Sequence, residues 1–161
     1  MEKVIEKPQR STQHFTFVAK VKPGRGKILR EKGADRLKNI SWDETDKMLK
    51  PLTLHFARWL LFDNDTRFIY YASFDTELDR YLDDAARIFS ASGVSGFFVD
   101  LEGFPDDQAA MENPEFFRKF LSETGIDSFY QFEGYPGVSV EEIKKALKVR
   151  NAFSSMLDEM Q

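Results

Sequence analysis

Apolar and polar positions are most informative from Leu54 to Asp75, LHFARWLLFDNDTRFIYYASFD. Two runs rich in aromatic and branched residues flank Asp63-Asn64-Asp65-Thr66, which reads as a tight turn between two strands. A hairpin on a half-solvated sheet alternates apolar with polar residues, but here both faces are largely apolar, so the hairpin needs cover on both sides. With Asn64-Asp65 at the tip, Asp63 pairs with Thr66 and the register follows. One face then holds His55, Ala57, Trp59 and Leu61 opposite Phe74, Ala72, Tyr70 and Phe68. The other holds Leu54, Phe56, Arg58, Leu60 and Phe62 opposite Asp75, Ser73, Tyr71, Ile69 and Arg67. The first face, nearly all apolar and with two alanines that admit close helices, is assigned to a helix-covered core.

The rest of the chain supplies that cover. Residues 1–13 read as a mobile polar tail and 14–161 as one domain. His14 to Lys22 alternates as a strand, with Phe15, Phe17, Ala19 and Val21 on one side. A helix is predicted from about Arg25 to Leu37, with Gly33 weakening its second half, and a short one after the Ser41–Glu44 capping box. Asp75 or Thr76 caps a helix to about Ser92 whose stripe is Leu78, Tyr81, Leu82, Ala85, Ile88 and Phe89. Gly93 to Asp107 reads either as a short strand around Phe98 or as an irregular buried turn. Asn113-Pro114 opens a helix that Gly125 ends, Ser128 to Gly134 reads as a strand, and Ser139 with Glu142 caps a last helix reaching Met160. The order is βαββαβ, with 94–125 as a helical insertion and 139–160 as an extra C-terminal helix. This is the α+β class, a ferredoxin-like antiparallel sheet.

Composition narrows the function classes. The chain has 161 residues, a net charge of −4 and no cysteine. The charge argues against general nucleic-acid binding, which needs a basic field. The lack of cysteine removes disulfides, thiolate nucleophiles and cysteine metal sites. No apolar run is long enough to span a bilayer and the first residues lack an apolar signal core, so no membrane partner is expected and a cytoplasmic location is.

In a ferredoxin-like fold helices cover one sheet face only. Phe56, Leu60, Phe62 and Ile69 would then form an open patch of several hundred Å2, and the simplest cover is a second copy packed sheet to sheet. This arrangement resembles the dimeric α/β-barrel group of ferredoxin-like proteins, over roughly residues 15–134. The strings His55-Phe56-Ala57-Arg58-Trp59 and Phe132-Glu133-Gly134-Tyr135-Pro136-Gly137 look like the uncharacterised bacterial members of that group. The resemblance implies a homodimer with a cavity between its sheets, and more distantly a relation to small monooxygenases and haem-binding proteins. The haem-ligand motifs of the peroxidases and the catalytic residues of the monooxygenases have no counterpart here, so no cofactor is assigned and haem stays an alternative.

The candidate ligand-binding residues are Arg58, Tyr71, Ser73, His14 and His55. Arg58, in mid-strand beside Tyr71, needs an anionic partner, supplied by Asp75, by Glu133 or by a ligand. His14 shares that face or lies in solvent at the strand start. His55 is placed in the helix-covered core opposite Phe74. Two histidines on opposite faces argue against a metal site within one chain. Lys22-Pro23-Gly24-Arg25-Gly26-Lys27 lacks the phosphate-loop spacing and reads as a turn with solvated charges, and Asp83-Asp84 as a solvated helix face. No GxSxG or HExxH motif occurs. The favoured expectation is a homodimeric protein binding a small, partly apolar molecule, anionic where it meets Arg58. The alternatives are an oxygenase or haem-dependent enzyme of the same architecture, and an interaction module without a ligand.

Overall fold

Strict alternation in β1 (Gln13–Lys20) sets the two sides of the sheet: Phe15, Phe17 and Ala19 are buried, while Thr16 and Val18 are half-buried. In this computed structural model, which describes residues 12–160, β1 is followed by α1 (Gly26–Asn39) and α2 (Trp42–Leu49). The hairpin strands are β2 (Leu54–Phe62) and β3 (Arg67–Phe74). Then come α3 (Leu78–Ala91), α4 (Ser95–Phe98), α5 (Gln108–Met111), α6 (Pro114–Thr124), β4 (Gly125–Ile126) and α7 (Val140–Glu159). The strands form one antiparallel sheet in the order β2-β3-β1-β4, consistent with a ferredoxin-like α+β fold. The tail expected over 1–13 lies almost wholly outside the described residues, and Gln13 already belongs to β1. No helix among the described residues is long and apolar enough to cross a membrane.

The hairpin register is the expected one from Phe56 to Phe62, with Arg58 opposite Tyr71 and Trp59 opposite Tyr70. Asp63, Asn64 and Asp65 all take left-handed backbone, which Asn and Asp tolerate better than other side-chain-bearing residues. The tip is also the seat of α1. A Cβ on Gly26 would lie 2.5 Å from the Asp65 carbonyl oxygen, so only glycine fits this approach. Arg30 then donates twice to the Asp65 carboxylate, at 2.5 Å each.

The core is an aromatic cluster. Phe98, wholly buried, meets Phe17, Trp59, Phe68, Phe89, Phe104, Phe117 and Phe120, at a closest centroid distance of 4.9 Å to Phe117. Phe74 stacks on Tyr81 at 3.7 Å, and the Tyr81 and Tyr70 hydroxyls are 2.5 Å apart. Burial in this apolar setting pushes both phenols up from their usual range.

Three expectations change. The stretch 94–125 is an insertion in chain order only. Its α6 lies on α3 and β1 and sends Phe117, Phe120 and Leu121 into the core, while α1 buries only Gly26 and Leu29. The expected strand Ser128–Gly134 is irregular and largely exposed. The fourth strand is instead Gly125–Ile126, opposite Phe17 and Thr16, where a Cβ on Gly125 would come within 3.1 Å of the Phe15 ring. Two of the three charges after β1, Lys22 and Arg25, are paired at short range, while Lys27 stays solvated. Lys22 Nζ reaches Asp106 at 2.7 Å, and Arg25 Nε reaches Asp100 at 2.6 Å. Asp83 takes Arg118 Nε of α6 at 2.9 Å but stays 62% exposed, as a solvated helix face should.

Candidate functional site

The sheet face away from α3 and α6 is built in rows by the strand register. Phe56, Ser73 and His14 form one row; Arg58, Tyr71 and Thr16 the next; Leu60, Ile69 and Val18 the third. Opposed side chains in such rows lie close enough to touch. Phe56, Leu60 and Phe62 are each about 40–50% exposed, as the two-faced hairpin predicts for an uncovered face.

Tyr71 is the centre of the polar part. Its hydroxyl is 2.5 Å from His14 Nδ1, its ring stacks on the imidazole at 5.7 Å, and Phe56 flanks it at 5.3 Å. His14 is therefore placed in the face rather than frayed into solvent. Its Nε2 is buried and has no hydrogen-bond partner among the described residues. Burial lowers the His14 pKa from the usual imidazole value; Glu133 opposes that shift and His55 adds to it. Burial also raises the Tyr71 phenol. Ser73 is buried beside them.

Arg58 projects from the middle of β2 and is exposed. It has no ion pair among the described residues; neither Asp75 nor Glu133 takes it. The structure thus brings Arg58, Tyr71, Ser73 and His14 onto one face.

His55 is not where the simple register puts it. A β-bulge between Leu54 and Phe56 moves Leu54 opposite Phe74, where it packs against the core, and leaves His55 out of the ladder. His55 Nε2 lies 2.6 Å from Asp75 Oδ1. The other Asp75 oxygen accepts the Val140 N–H at 2.7 Å, so one carboxylate ties the bulge to the first turn of α7. His14 thus meets Tyr71 through Nδ1, and His55 meets Asp75 through Nε2.

Two features have no clear signal in the sequence. Thr53, with left-handed backbone, precedes the bulge, and no glycine or asparagine marks the position. A cleft of about 770 Å3 lies under the root of α7, lined among others by Trp42, Leu49, Thr76, Arg80 and Lys144. Its walls come from α2, the start of α3 and α7, which only the tertiary arrangement brings together.

No protein-family model matches the chain, and no curated protein matches it.

Proposed function

We propose that the protein is a homodimeric small-molecule-binding protein whose open sheet faces pack together around a cavity, in the manner of the dimeric α/β-barrel group. The observation that carries the reading is the exposed Arg58, without an ion pair among the described residues, set between apolar Phe56 and Leu60 and opposite Tyr71. Exposed apolar side chains at this density favour burial against a partner. An arginine at the centre of such an interface needs an anionic group once water is removed. The ligand class that fits is a small carboxylate or phosphate ester with an apolar body. The guanidinium would hold the anion while Tyr71 supplies a hydroxyl.

Sedimentation velocity of the wild type and Leu60→Asp tests the assembly. A dimer at micromolar concentration that the substitution weakens at least tenfold is the expected result, and a wild-type monomer refutes the reading. Calorimetry against a panel of aromatic and aliphatic carboxylates and phosphates tests the ligand. Binding by the wild type that Arg58→Ala loses supports the proposal. Binding that is indifferent to Arg58, or a dimer that takes no member of the panel, refutes the anionic-ligand part.

A further inference from the structure

The twenty residues of α7 (Val140–Glu159) include none that is buried. Its polar ties to the domain among the described residues lie at its start, where Val140 N–H meets Asp75 and Lys144 Nζ meets Asp46 at 2.8 Å. Among the described residues, no hydrogen bond or ion pair joins α7 beyond Lys144 to another element. A capping box closes its first turn, yet helices of this length draw most of their stability from an amphipathic face packed on something.

The face has a regular spacing. Ile143, Ala146, Arg150, Phe153, Leu157 and Met160 alternate steps of three and four, the spacing of a two-helix seam. Leu147, Val149 and Met156 flank it and are also exposed. We propose that α7 is a dimerisation helix that pairs antiparallel with α7 of a second copy. The proposal uses none of the open-face residues and goes beyond the sheet-to-sheet reading.

Direction follows from the layers. In an antiparallel pair Ile143 meets Met160 of the second copy, Ala146 meets Leu157, and Arg150 meets Phe153, each layer being repeated by the two-fold axis. Small opposes large in the Ala146 layer, and the one charge in the seam lies on an aromatic ring, a favourable cation–π pairing. The same register sets acidic Asp158 and Glu159 beside Lys145 and Lys144 of the other helix. A parallel pair would instead stack Arg150 on its own copy and bring the acidic ends together.

The area is sufficient. Seven large apolar side chains between Ile143 and Met160 are exposed by 40–76%. Covering those exposed parts removes on the order of several hundred Å2 per helix, toward the lower end of what specific interfaces bury. A standard interface buries about 800 Å2 per partner.

The chain has no cysteine, which makes the geometry directly testable. Ala146→Cys and Leu157→Cys in one chain lie about 16 Å apart along the helix, too far for an internal disulfide, which needs a Cα separation of about 4.4–6.8 Å. In an antiparallel pair the two positions face each other across the interface. Under mild oxidation the double variant of the full chain should give at least tenfold more covalent dimer than either single variant, with unchanged circular dichroism. Singles that cross-link as well as the double would refute the direction. A double variant that stays folded and uncross-linked would refute the pairing. Phe153→Glu should remove the cross-link from the double variant, and its persistence would also count against the seam. Leu60→Asp should leave the cross-link intact, so that failure of the sheet-face reading and failure of this one are separate results; loss of the cross-link in Leu60→Asp would overturn the independence claimed here.

Discussion

Replacing Asp100 by asparagine probes the attachment of α1 to the core. The Asp100 side chain is 1% exposed and receives Arg25 Nε and Lys32 Nζ, both at 2.6 Å, on its two oxygens. Asn keeps the shape but removes the charge and turns one acceptor into a donor aimed at a cation. Each hydrogen bond to a charged group contributes about 1.5–3 kcal/mol. Removing one partner of a buried pair costs about 3–5 kcal/mol when the other is left without solvent. Arg25 and Lys32 are 41% and 34% exposed and can turn into water, so the expected loss is smaller, about 2–3 kcal/mol. Urea unfolding at fixed protein concentration measures it, because self-association shifts apparent stability. With a slope of about 1–3 kcal/mol/M the midpoint should fall by about 1 M with the slope unchanged. Glu31→Gln is the control. It breaks the exposed Lys27–Glu31 pair at 3.9 Å and should move stability by less than about 0.5 kcal/mol. If Asp100→Asn falls within about 0.5 kcal/mol of the wild type, or matches Glu31→Gln, burial does not set the strength of this cluster and the reasoning fails.

Two further predictions use the same assay. Gly26→Ala should cost about 1–3 kcal/mol, because its Cβ meets the Asp65 backbone, whereas Gly33→Ala, in open space within α1, should stabilise by about 0.4–1 kcal/mol; equal effects would show that the α1 seat on the hairpin tip is loose. The His14 pKa is lowered in the folded protein by burial, with Glu133 opposing and His55 assisting, so the unfolded chain binds the extra proton first. Its contribution is complete above the ordinary imidazole pKa near 6.5 and is lost as pH falls from there through the folded value. His14→Gln should flatten the urea midpoint between pH 7.5 and 5 relative to the wild type, and an unchanged slope would refute the assignment.

Much of the sheet was legible because alternation and turn chemistry act locally. Arg58, Tyr71 and Ser73 fell on one face once Asn64-Asp65 was taken as the tip, and His14 joined them through the β1 register. The bulge at His55 was not legible. One extra residue in a ladder is set by how Leu54 reaches the core and by the Asp75 carboxylate, neither of which periodicity records. The role of α6 was hidden for a related reason. The residues from Phe97 to Phe104 form a folded-over cluster without a strand or helix period, and only the closed core shows that Phe98 makes α6 a cover helix.

The misread fourth strand bears most on function. Ser128 to Gly134 has the aromatic content of a strand, yet the two-residue β4 already occupies the edge beside β1. Phe129, Tyr130, Phe132 and Tyr135 are left between 75% and 103% exposed, and α7 continues the exposed apolar surface. This surface is tied back to the candidate site. Gln131 donates to the Thr12 carbonyl at the start of β1, Glu133 acts on His14, and Asp75 joins His55 to Val140. An aromatic limb that leaves the domain at the rim of an uncovered sheet has the same physical requirement as the sheet itself, an apolar partner. The polar groups His14, Tyr71, His55 and Asp75 lie at their junction and are paired there, His14 with Tyr71 and His55 with Asp75. One carboxylate, Asp75, therefore fixes both the His55 bulge and the first turn of α7, while Lys144 on Asp46 holds the next turn.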